Sequence, residues 1–178
     1  DLVDLARLDA IVDDWEAARR SGNRTAEANA DQRIAAWVRQ ELSENRRDVA
    51  ESRREVSRSQ SEVNASRRER NRTTGTGRPL AAADDRRDLR DDRRDRADDE
   101  RDLAKDRADR ASTRTIAVAL RDIQPAFDAR DASAAQYARK SNLLADLKGL
   151  AAAEVRRNAA ENREDARERR EDRRERFE

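Results

Sequence analysis

The chain has 178 residues, 46% of them charged, yet 41 Lys and Arg face 40 Asp and Glu, so the net charge is only +1. It contains no Cys, Met or His, which rules out disulfides, thiolate or imidazole metal ligation and histidine-based catalysis. No apolar run approaches the roughly 20 residues of a membrane span. Acids stand beside nearly every Arg, which argues against the one-signed face that nucleic-acid backbone binding needs.

Hydrophobic residues make up 35% of the chain, and just over half of them are Ala. With only 4 Gly and 2 Pro, and with Ala, Arg, Leu and Glu all strong helix formers, the expected class is all-α. Charge-driven disorder needs a large net charge, and here the signs cancel.

The large apolar residues gather in two blocks, 1–42 and 113–155. In the first block Leu8, Ile11 and Trp15 recur at helical spacing, SGNRT (21–25) breaks the pattern with Thr25 as N-cap, and Ile34 and Trp37 continue it. Residues 43–112 follow as a charged helical hairpin arm. From Leu42 they repeat every seven residues through Val49, Val56 and Val63, with Asn45, Ser52, Ser59 and Ser66 as companions. The Gly-rich TTGTGRP (73–79) is where the chain should reverse, laying residue 49 near 103. Beyond it, Leu89 and Leu103 continue the arm's packing seam.

The second block carries Ile116, Leu120, Ile123 and Phe127, a turn at DAS (131–133), and then Leu144, Leu147 and Leu150. Pro125 should kink its helix, because it removes a backbone donor. Val155 opens a charged C-terminal helical arm, 156–178. Several pairs lie 112 apart, among them Ile11 with Ile123, Trp15 with Phe127 and Ser21 with Ser133, a layout suggesting internal duplication. The expected architecture is an up-down four-helix head formed by 1–42 and 113–155, continuing into a charged, seven-residue-patterned, antiparallel three-helix stalk.

Nothing marks one acid of forty as catalytic, so the expectation is a protein that is not an enzyme and requires no cofactor. The Asp runs near 84–99 are interleaved with Arg that would repel a metal ion. Trp15, Trp37, Phe127 and Tyr137 read as core residues rather than a ligand box. A charge-balanced surface with patterned arms suits self-association into a homo-oligomer or filament. A helical chaperone or adaptor clasping a client protein with its arms is the alternative. The start at Asp1 rather than Met fits removal of an export signal, giving a secreted or periplasmic expectation; a cytoplasmic location is compatible with the same start.

Overall fold

The computed structural model describes residues 2–74 and 79–175, all but a few of them helical. Four helices follow in order: α1 (Leu2–Ser21), α2 (Arg24–Thr74), α3 (Pro79–Asp128) and α4 (Ala134–Glu175). The chain divides into two units, one of residues 1–40 with 113–178 and the other of residues 41–112.

Each helix boundary in the first unit has a local chemical cause. α1 ends where Gly22 adopts a left-handed φ of 68°. There the Asn23 amide donates to the Ala18 carbonyl at 2.9 Å and the Gly22 amide to Arg19 at 3.2 Å, a Schellman closure. Asn23 then starts α2, its Oδ1 accepting from the Ala26 amide at 3.1 Å. The cap expected at Thr25 is therefore supplied two residues earlier, because the residue after the left-handed glycine is already outside the helix.

α3 runs through Pro125 to Asp128 and closes the same way. Arg130 takes the left-handed conformation (φ 62°), and the Asp131 amide donates to Ala126 at 3.0 Å. Ser133 opens α4 with a capping box. Its Oγ accepts from the Gln136 amide at 3.3 Å, and Gln136 Oε1 accepts from the Ser133 amide at 2.7 Å. Ser21 and Ser133, paired in the expected duplication, do different work. Ser21 bonds back to the Ala17 carbonyl inside α1, whereas Ser133 initiates a helix.

The first unit packs four helical segments, drawn from α1, α2, α3 and α4, as a bundle. Leu8, Ile11, Trp15, Ile34, Trp37, Ile116, Ile123, Leu144 and Leu147 are buried in its core. Leu120, Phe127 and Leu150 are half-buried. Trp37 Nε1 donates to the Asp4 carbonyl at 3.2 Å, and Lys148 meets Asp9 at 2.8 Å, tying α2 and α4 to α1. Burying a large apolar side chain contributes about 1.5–3 kcal/mol, so this core supplies most of the unit's stability.

The second unit is an antiparallel helical hairpin, with residues 75–78 of the expected turn outside the described residues. Its buried positions on α2 are Asn45, Val49, Ser52, Ser59 and Val63, spaced by alternating steps of four and three with half-buried Val56 among them. On α3 they are Ala82, Leu89 and Leu103. Leu42, at its start, is half-buried, as is Val155 in the first unit. The Ser52 hydroxyl donates to Asp106, and that of Ser66 to Asp92. These two bonds join the two helices of the hairpin.

Candidate functional site

Two features carry chemistry, one in each unit. In the first, a charged cluster sits inside an otherwise apolar bundle. Lys140 occupies a core-facing register on α4, between Tyr137 and Leu144, and is only 2% exposed. Its Nζ donates to Asp31 Oδ1 on α2 at 2.6 Å and to Gln124 Oε1 on α3 at 3.4 Å. Gln124 Nε2 donates in turn to Asp31 Oδ2 at 3.3 Å and to Asp128 at 2.9 Å. The ammonium also lies 4.0 Å from the Phe127 ring centroid and 5.3 Å from that of Trp15, close enough for cation–π attraction.

Loss of hydration drives both members of the pair toward neutrality. Burial pushes the Asp31 carboxyl up, opposed by the Lys140 charge. It pushes the Lys140 amine down, opposed by Asp31. A paired, hydrogen-bonded arrangement is what makes two such charges tolerable inside a bundle.

Above the pair, Tyr137 packs edge-on against Phe127 at 4.9 Å and stacks near Trp15 at 6.3 Å. Arg19 covers the Tyr137 ring at 5.1 Å, and Arg24 donates to its hydroxyl while meeting buried Glu27 at 3.1 Å. Burial, followed by the neighbouring Glu27, raises the Tyr137 phenol above its ordinary range. A solvent-open cavity of about 610 Å³ lies beside the cluster, lined by Arg24, Glu27, Asp31, Gln124, Phe127 and Asp128 among others. Lys140 is not among its lining residues. Its amine is held against Asp31 rather than offered to the opening, so the cluster's evident effect is to lock α2, α3 and α4 together.

In the second unit the seam alternates apolar and polar layers. Asp85, Asp92, Asp99 and Asp106 recur every seven residues on α3, all half-buried. Of these, Asp106 accepts from Ser52 and Asp92 from Ser66. Arg96 reaches out of the seam to Glu100, with Nη2 at 2.6 Å and Nε at 3.0 Å, leaving its methylene stem as the packing surface. One Asp85 oxygen is buried without a hydrogen-bond partner.

The aromatic residues Trp15, Phe127 and Tyr137 meet as core residues do. Lys140, Asp31, Glu27 and Gln124 are what sequence reasoning missed. Their signal was present: Lys140 falls at the four- and three-residue step shared by Tyr137, Leu144 and Leu147, and Asp31 at that of Glu27 and Ile34. A charged residue on an apolar stripe marks a buried pair, but its partner is named only by tertiary contact. The seven-residue spacing of the four seam aspartates was equally legible.

Among the described residues no helix is long and apolar enough to cross a membrane. No protein-family model, curated protein or solved structure matches the chain.

Proposed function

We propose that the protein is a self-associating helical structural protein, the subunit of a filament or other homopolymer in an extracellular or periplasmic setting. The observation that supports this most is the thinness of the hairpin seam. Its large buried apolar side chains are Val49, Val63, Leu89 and Leu103, against buried Asn45, Ser52 and Ser59. Helices of this length with so narrow an apolar stripe draw little stability from one neighbour and gain from more.

Electrostatics supports the same reading. Segment 56–74 of α2 carries five Arg and two Glu, and segment 84–102 of α3 carries seven Arg and ten acids. The two cancel, and residues 41–112 sum to only +1, which removes long-range repulsion between copies. Exposed ion pairs on α3, such as Arg94 with Asp91 at 3.2 Å and Arg87 with Asp84 at 3.1 Å, contribute about 0–1 kcal/mol each and do not rigidify it alone.

Sedimentation velocity across a hundredfold concentration range, with electron microscopy of the associated fraction, tests the proposal. Concentration-dependent oligomers or fibres are expected at low salt, loosening as salt is raised. A single monomeric species at every concentration would sink the idea.

A further inference from the structure

The hairpin of the second unit has two flanks of opposite charge, and the charges on each flank face their own kind. On α2, the residue just before each of the seam positions 49, 56, 63 and 70 is an acid: Asp48, Glu55, Glu62 and Glu69. On α3, the residue just before each of 89, 96, 103 and 110 is also an acid: Asp88, Asp95, Asp102 and Asp109. With Ser52 held to Asp106 and Ser66 to Asp92, these two rows of acids lie on one side of the seam, and Glu55 feels Asp102 across it. In an antiparallel pair, positions preceding the seam on both helices share one flank.

The other flank is basic by the same rule. The residues just after Asn45, Ser52 and Ser66 are Arg46, Arg53 and Arg67, and those just after Asp85, Asp92 and Asp106 are Arg86, Arg93 and Arg107. All six are exposed. Gln60 after Ser59 and Glu100 after Asp99 depart from the rule, and Glu100 is taken up by Arg96 at 2.6 Å.

Flanking charges in paired helices ordinarily choose the partner by attraction. Here each flank gathers one sign of charge from both helices, so attraction between flanking charges is not what selects this pairing. The crowding is felt on the acidic flank. Burial first, and then Asp99, Glu51 and Asp102, hold the Glu55 carboxyl above its usual range. Burial first, and then Asp106, Glu44 and Glu51, do so for Asp48. Arg58 and Arg47 oppose these shifts from α2 itself.

We infer that the two flanks are complementary docking faces for second copies of this chain, the acidic flank of one hairpin lying along the basic flank of the next. This rests on the self-association proposed above and supplies its geometry. Acids and arginines both repeat every seven residues, about 10 Å along a helix, so two hairpins meet in register over several repeats. The contact uses different surfaces on its two sides. It is therefore heterologous, and propagates to a ring or an open polymer rather than stopping at a two-fold dimer.

Two variants of the full chain test this. One reverses the basic flank (Arg53→Glu, Arg67→Glu, Arg93→Glu, Arg107→Glu), and the other reverses the acidic flank (Glu55→Arg, Glu62→Arg, Asp95→Arg, Asp102→Arg). Each keeps like facing like inside the hairpin, and circular dichroism should report unchanged helicity. Each variant alone should associate at least tenfold more weakly than the parent in low-salt sedimentation, and an equimolar mixture should co-assemble. Variants that associate like the parent, or a mixture that stays monomeric, overturn the flank assignment while leaving self-association standing. A parent chain that is itself monomeric at every concentration overturns both. A basic flank whose reversal abolishes heparin binding with no effect on association overturns the flank assignment alone and makes that flank a polyanion surface.

Discussion

The two units share one kind of backbone and hold it together by different means. The first buries Trp15, Leu8, Ile11, Leu144 and Leu147 almost completely and encloses one ion pair. The second spreads its burial along a seam in which every other layer is polar. Helix formation is thus a weak guide to how firmly a region is held. What differs is how much apolar surface each layer removes from water.

The sharpest way to break this contrast is to remove core from the first unit. Trp15→Ala should cost about 3–5 kcal/mol, read as a lowered urea midpoint, with hydrogen exchange in residues 41–112 changed far less. Equal loss of protection in both units would mean that they fold as one block.

Lys140→Ala should cost nearly as much, about 3 kcal/mol, because it strands the Asp31 carboxylate in the bundle. The paired change Lys140→Met with Asp31→Leu should recover most of that loss. If the double variant is no more stable than the single one in urea melts, the pair is not the isolated unit described.

In the hairpin the sign should reverse. Replacing one polar pair by apolar side chains, Ser52→Val with Asp106→Leu, should stabilise it by about 1 kcal/mol, since both partners of the bond leave together. Slower amide exchange across 52–66 is the readout, and faster exchange would show the polar layer to be favourable in place.

The smallest expected effect is electrostatic. Asp48 and Glu55 have carboxyls held above their ordinary range in the folded hairpin. The folded state therefore binds protons more readily than the unfolded one, and acidification from neutral toward the ordinary carboxyl range should stabilise the hairpin. Asp48→Asn with Glu55→Gln should raise its stability at pH 7, and the gap to the parent should close near pH 4. A gap that stays constant with pH would remove the crowding argument.

Much of this was written in local chemistry. The helical class, the breaks near 21–25 and 131–133, and the apolar stripes of the two blocks follow from propensity, capping residues and periodicity, which act over a few neighbouring residues. Leu8, Ile34 and Leu147 could be placed in a core without any contact map. The seven-residue repeat marked a narrow seam on α2 through Val49 and Val63, and a close reading of α3 would have found its four aspartates.

Partner choice was beyond that reach. The register that joins Ser52 to Asp106, and the meeting of Lys140 with Asp31 across 109 positions, depend on which side chains face one another once helices pack. Residues far apart in the chain carry no local trace of that choice. A lysine on an apolar stripe announces that a counter-charge is needed, and only the packed bundle, where desolvation makes the pairing compulsory, says which of forty acids supplies it.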